Sequence, residues 1–246
     1  MRETFIVIPA NGRHQMIAEL LGSINYPQDH VILLDTGAEP PLEERFGDDD
    51  AMVISQWWFD GNKGKNIQRW WNAGWRMAEG CAEDKNNYAV VFLNSDAMTN
   101  RWDIETMVEA IDKYDASVVF FDHCSVLNMS QINRRTRPGP GPWHFKMTGW
   151  GFAVRGEIKT RFDETMAWWY GDDDFDWRAR LEYGGVVMIH GPWVANRDPN
   201  GGQRDNPELH EVIARDHNRF IEKWGVDIMD DNVFNEETFN RMITNA

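Results

Sequence analysis

Short unbroken apolar runs recur along the chain. Thr4–Pro9 (T-F-I-V-I-P), His30–Leu34, Tyr88–Leu93 and Ala116–Phe121 are rich in β-branched and aromatic residues and stop at turn or acidic residues, and Ala51–Ser55 is a weaker fifth. Runs of that length predict strands covered on both faces, as in a mainly parallel sheet. Between them the pattern changes to a helical one. His14–Ile24 puts Met16, Ile17, Leu20, Leu21 and Ile24 on one stripe, Asn66–Ala78 aligns Ile67, Trp71, Trp75 and Ala78, and Arg101–Tyr114 aligns Ile104, Met107, Val108 and Ile111. The order β-α-β-β-α-β-α-β through residue 121 predicts an α/β sheet with right-handed crossovers.

The second half is less regular. Residues 133–143 (N-R-R-T-R-P-G-P-G-P-W) read as a loop that could serve as a lid. A strand within Phe145–Val154, a helix over Phe175–Tyr183, a strand over Val186–His190 and a long helix over Glu208–Trp224 closed by Gly225 follow. No repeat and no flexible linker interrupts the pattern. The expectation is one compact unit over 1–246, with a nucleotide-binding half (1–100) and an acceptor-side half (101–246).

Composition narrows the classes. The 246 residues carry a formal charge of −15, which disfavours a protein that grips bare nucleic acid or an anionic membrane by bulk electrostatics. Cys81 and Cys124 are the only cysteines, so a disulfide framework and a Cys-based zinc site are excluded. No run is long enough to span a bilayer, and the N-terminal apolar stretch is too short for a signal peptide. The expected setting is a reduced cytoplasm. Thirteen tryptophans, several in doublets, are the odd feature. Adjacent residues on a strand face opposite ways, so some of these rings should line a cleft or stack on a ligand.

Ligands in such sheets sit at the carboxyl ends of the strands. Asn94-Ser95-Asp96 follows one strand; Asp96 there could hold Mg²⁺ or Mn²⁺ with substrate phosphates, although the tripeptide alone reads first as a turn. Asp35 ends another strand and could accept hydrogen bonds from a base or ribose, or simply shape an Asp-Thr-Gly turn. Asn62, Gly64, Lys65 and Arg69 lie around a helix start suited to a diphosphate. Asp172-Asp173-Asp174 and Asp176 open an Arg-rich helical stretch. Crowded carboxylates raise one another's pKa, which suits a general base. His190 could complete a metal site with Asp96, with Asn196 and His210 as rivals.

Taken in order, these pieces resemble a family-2 glycosyltransferase of the GT-A fold, in the inverting, rhamnosyltransferase-like branch. The elements that carry the resemblance are the strand ending in Pro9 with Ala10-Asn11-Gly12-Arg13, Asp35, Asn62-x-Gly64 and Asn72-x-Gly74. Then come F-L-N-S-D at 92–96, T-G-W-G at 148–151, F-D-E at 162–164, D-D-F-D-W-R-A-R-L-E-Y-G-G at 173–185 and K-W-G at 223–225. They cover most of residues 4–225. The resemblance implies a nucleotide sugar (UDP-, GDP- or dTDP-linked) held by Pro9, Ala10, Asn11, Arg13, Asp35, Asn62, Gly64, Lys65, Arg69, Asn94 and Ser95. It implies Mn²⁺ or Mg²⁺ on Asp96. By register Asn196 falls closer than His190 to the family's metal-binding His, while His190 is kept as the candidate second ligand. It implies Asp174 as the base, and Asp173, Gly149, Trp150 and Trp169 are expected around the acceptor.

A protein side chain or a saccharide is the favoured acceptor, and a membrane partner is disfavoured. Hydroxylated DNA bases are a second acceptor class, reachable only if Arg134, Arg135 and Arg137 form a local basic patch. A non-catalytic carbohydrate-binding relative would explain the tryptophans but not the acids. The Trp- and Asp-rich chain has the look of a phage-encoded or bacterial modifying enzyme.

Overall fold

The computed structural model describes residues 2–47, 51–55, 65–129, 131–140, 145–197 and 207–228. Their elements, in order, are β1 (Glu3–Ala10), α1 (His14–Ile24), β2 (Val31–Asp35), α2 (Glu43–Phe46), β3 (Met52–Ser55), α3 (Ile67–Cys81), β4 (Tyr88–Leu93) and β5 (Ala97–Met98). They continue with α4 (Arg101–Lys113), β6 (Val118–Phe121), β7 (Ile132–Arg135), β8 (Gly151–Arg155), α5 (Gly171–Ala179), β9 (Val186–Ile189), β10 (Ala195–Asn196) and α6 (Pro207–Trp224). Eight strands form one sheet in the order β3-β2-β1-β4-β8-β6-β9-β7, and β5 and β10 form a separate two-stranded ribbon. Within the large sheet only β8 and β7 run against their neighbours. This is the mainly parallel α/β sheet that the apolar runs predict.

Both faces of the sheet are dry. Along β1, Ile6 and Ile8 enter the core beneath α1 and α4, while Phe5 and Val7 enter the one beneath α3 and α5. This two-sided burial is why the strand sequences do not alternate. Trp71 and Trp75 pack with Phe92, Phe152 and Phe162 on the second face. Trp70 and Trp71 are both buried, because their doublet lies on a helix covered on two sides; Trp70 meets Trp168 edge-on at 6.1 Å. Trp57, Trp58 and Trp143 lie outside the described residues.

Helix ends follow local chemistry. Asn66 Oδ1 accepts the Arg69 N–H at the start of α3, and Asn100 Oδ1 accepts that of Asp103 at the start of α4. Gly225, at φ 72°, closes α6. The Asn72-x-Gly74 element is structural. Asn72 exchanges hydrogen bonds with the Phe162 backbone, and a Cβ on Gly74 would lie 2.2 Å from Val7 Cγ1. Gly74→Ala should therefore push α3 off β1 and cost about 2–3 kcal/mol, read as a lower urea midpoint at unchanged slope.

Two sequence expectations change. Residues 132–135, read as loop, form the edge strand β7; polar edge residues hide its strand character. The acidic helix starts at Gly171, four residues before the expected Phe175, because Tyr170 turns the chain at φ 63° and the helix dipole favours three aspartates in its first turn.

Candidate active site

Antiparallel pairing of β8 with β4 sets Gly151 opposite Leu93. The Thr148–Gly151 segment therefore runs alongside Asn94–Asp96, and the Asn94 N–H donates to the Trp150 carbonyl at 3.1 Å. Trp150 is fixed by its indole N–H on the Val194 carbonyl, 3.2 Å away. On the other side of this segment stands the N-terminus of α5. A Cβ on Gly149 would lie 2.6 Å from Asp172 Oδ2, so glycine is what lets that carboxylate approach the strand end. Asp96 and Asp172 thus flank one short segment.

Asp96 is buried, and its Oδ2 accepts from Arg13 Nη1 at 2.5 Å. Arg13 reaches it because the chain turns sharply after β1, with Gly12 at φ 69° and Arg13 at φ 59°. The β5–β10 ribbon pairs Asn196 with Ala97, and the Arg197 N–H donates to the Asp96 carbonyl at 3.0 Å. His190 does not share this place. It is exposed at the end of β9, three strands from β4, on the order of 14 Å at the spacing of a sheet. His210 is exposed on α6. Among the described residues no three His, Cys, Asp or Glu side chains converge to hold a metal. The donor set present is one buried carboxylate, Asp96, with Asn94 and Ser95 next to it in sequence and Asn196 paired with the adjacent Ala97. Such oxygen-rich surroundings fit a hard cation that takes its other ligands from a diphosphate.

Most of the acid-rich helix is committed to structure, and Asp174 is the clearest case. It is fully buried. Its Oδ2 accepts from Arg178 Nε and lies 2.6 Å from Nη2, while its Oδ1 accepts from the Trp224 indole at 2.9 Å and lies 2.8 Å from Lys223 Nζ. Asp174, the base expected from the sequence, is thus closed to solvent and surrounded by four nitrogen atoms, two of them hydrogen-bonded to it. Asp176 is likewise held by Arg180 at 2.5 Å and by Arg135 at 3.6 Å. Arg180 also donates to the carbonyls of Arg137 and Gly139, tying down the segment after β7.

Asp172 and Asp173 differ from these two. Both are half-buried, and neither is paired with a cation at contact distance among the described residues. Burial first, and then Asp172 beside it, push Asp173 up to about 8. Burial, with Asp176 nearby, raises Asp172 as well. They form the carboxylate pair able to carry a proton near neutrality. Both belong to the run of adjacent aspartates that the sequence marks as general-base candidates.

Other expected contacts are redirected. Asp35 accepts from the N–H groups of Gly37, Ala38 and Leu42 at 2.8–2.9 Å, which shapes the 36–42 turn. Pro9 and Ala10 are buried in β1, with the Ala10 carbonyl taken by Thr36, and Asn11 is exposed beyond them. Arg69 turns to Glu164 at 3.5 Å. Lys65 is exposed just before α3, and Asn62 and Gly64 lie outside the described residues. Trp169 is 42% exposed, its backbone fixed by Asp216. Arg134 donates to the Tyr114 and Gly184 carbonyls and Arg135 packs over Phe120, so neither supplies an open basic patch.

The architecture is that of GT-A glycosyltransferases. Among solved structures, Staphylococcus aureus TarS (residues 1–349) superposes with a TM-score of 0.57 at 14% identity, over 96% of this chain and 76% of that one. Glucosyl-3-phosphoglycerate synthase from Mycobacterium tuberculosis, in complex with Mn²⁺, UDP and glucosyl-3-phosphoglycerate, superposes at 0.62 and 18% identity, over 92% and 81% of the two chains. The same synthase with Mn²⁺, UDP-glucose and phosphoglyceric acid gives 0.60 at 20% identity, over 89% and 79%. No family model matches the sequence, and no curated protein does. Among the described residues no helix is long and apolar enough to cross a membrane.

Proposed function

We propose that this protein is an inverting glycosyltransferase that uses a nucleotide sugar and a divalent cation, Mn²⁺ or Mg²⁺, to glycosylate a hydroxyl. The observation that carries the reading is the placement of Asp96 and Asp172 on the two sides of the Thr148–Gly151 segment, at the carboxyl end of β4. The two glucosyl-3-phosphoglycerate synthase structures described above hold UDP or UDP-glucose with Mn²⁺, which supports the donor class. In this chain Asp96 would hold the cation, together with oxygens of the donor's diphosphate. When bound, the cation supplies Lewis-acid neutralisation of the charge on the departing diphosphate.

The chain's own groups do the rest. Arg13, beside Asp96, is positioned to turn onto the same diphosphate. Asp172 takes the acceptor's hydroxyl proton, and its burial, with Asp176 nearby, keeps that carboxylate basic. Trp150 and the exposed Trp169 give the acceptor aromatic walls. A saccharide or a protein side chain is the preferred acceptor class, because Arg134 is held on two backbone carbonyls and Arg135 lies over Phe120, which disfavours a basic track for DNA among the described residues.

The test is a donor screen. The purified chain is mixed with Mn²⁺ or Mg²⁺ and a panel of UDP-, GDP- and dTDP-sugars, with thermal shift and released nucleoside diphosphate as readouts. One donor should stabilise the protein only with metal, and Asp96→Ala should remove that stabilisation. If no donor stabilises the chain when metal is present, the reading falls, and a non-catalytic carbohydrate-binding role takes its place.

A further inference from the structure

Beside the cleft, on the far side of the β5–β10 ribbon, lies an open hollow of about 140 Å³ between α1 and the start of α4. Ser23, Thr99, Asn100, Trp193 and Arg197 contribute to its wall. Trp193 is 56% exposed, although its backbone is fixed by its N–H on Asp103 Oδ1 at 3.0 Å. Trp102, in the first turn of α4 next to Asp103, is also exposed. A large apolar ring held rigidly at the mouth of a polar hollow is costly to leave in water and suits a ligand that is flat on one side and hydroxylated on its edge.

Arg197 sharpens the choice. Its Nη1 pairs with Glu19 across the ribbon, so its charge is already compensated. Its Nε is buried and has no hydrogen-bond partner among the described residues. A buried donor left unpaired costs on the order of 1–3 kcal/mol; the side chain as a whole is a quarter exposed, and the open edge of its guanidinium can donate to a neutral hydroxyl. A phosphate or carboxylate would gain little from a guanidinium that Glu19 has neutralised, in a chain of net charge −15.

We propose that this hollow is a second saccharide subsite, separate from the donor cleft, which takes one neutral sugar ring with its face on Trp193 and a hydroxyl on the exposed edge of the Arg197 guanidinium. The Arg197 N–H on the Asp96 carbonyl joins the ribbon to the cleft, so a saccharide seated here would lie near the transfer site. The subsite stands whether or not the cleft transfers a sugar, and it is tested without metal or nucleotide.

The experiment titrates the full chain with methyl α-D-glucoside, methyl β-D-galactoside and N-acetylglucosamine, and follows indole N–H resonances by NMR. The Trp193 signal is identified by its loss in Trp193→Phe. At least one sugar should shift that signal saturably. In saturation-transfer spectra observed on the sugar, Trp193→Ala and Arg197→Met should each weaken binding about tenfold. No saturable shift up to the solubility of all three sugars would overturn the proposal. So would an equal shift with inorganic phosphate, or sugar binding undiminished in both Trp193→Ala and Arg197→Met.

Discussion

Asp172→Asn should lower sugar transfer by about 10²–10⁴-fold, the usual contribution of a positioned base. Donor binding should persist, because Asp96 and Arg13 lie on the other side of the Thr148–Gly151 segment. The partner substitution, Asp173→Asn, should behave differently. It removes a like charge beside Asp172 and leaves that carboxylate in place. Transfer should survive, but its pH dependence should move. In the native protein the rate should rise with pH and level off above about 8, the value to which burial and Asp172 push Asp173. The two titrate as a coupled pair, so that limb belongs to both. In Asp173→Asn the limb should shift to lower pH, and only in part, because burial is the larger cause and remains.

Stability gives a second readout with a definite sign. The folded pKa of Asp173 lies above its unfolded value, so the native state holds a proton that the unfolded chain gives up. Its contribution is most favourable below the ordinary carboxylate range and is lost as pH rises toward about 8. Asp173→Asn should therefore raise the urea midpoint relative to the native protein on the alkaline side of that value, and should do so less on the acid side. An Asp173→Asn variant with an unmoved pH–rate profile would remove Asp173 from the proton-carrying pair.

Much of the frame was legible in the sequence, for a physical reason. Continuous apolar runs with helical stripes between them have few other solutions than a two-sided sheet, and β1, β2, β4, α1 and α4 follow the pattern closely. The edge strand β7 did not stand out, because it reads I-N-R-R and draws its stability from β9 and not from its own apolarity. The metal partner was obscured by strand order. His190 ends a strand just as Asp96 follows one, but β9 pairs with β6, two strands beyond β4. The base was obscured by packing. The family resemblance singles out Asp174 among four neighbouring acids, yet Lys223 and Trp224, about fifty positions further along, close over it.

That closure leads to the second large effect. Asp174→Ala should destabilise the fold by about 3 kcal/mol, the lower end of the cost of breaking a buried ion pair, since Arg178 and Lys223 retain partial contact with water. The loss should appear as a lower urea midpoint. Lys223 is the bridge: it also holds Asp163 Oδ2 at 2.7 Å, so one ammonium fastens the 163–165 turn and α5 to the end of α6. Burial alone would raise Asp163, but Lys223 and Thr165 outweigh it and leave its pKa at about 2. That contribution is fully present above the ordinary carboxylate range and is lost as pH falls toward about 2. Lys223→Met should therefore be less stable than the native protein at neutral pH, and the gap should narrow in acid. Asp174→Asn keeps the shape and an acceptor oxygen for Trp224, and should retain transfer per folded molecule. If it folds normally and transfer is abolished, Asp174 and not Asp172 carries the proton, and α6 must open to let the acceptor reach it.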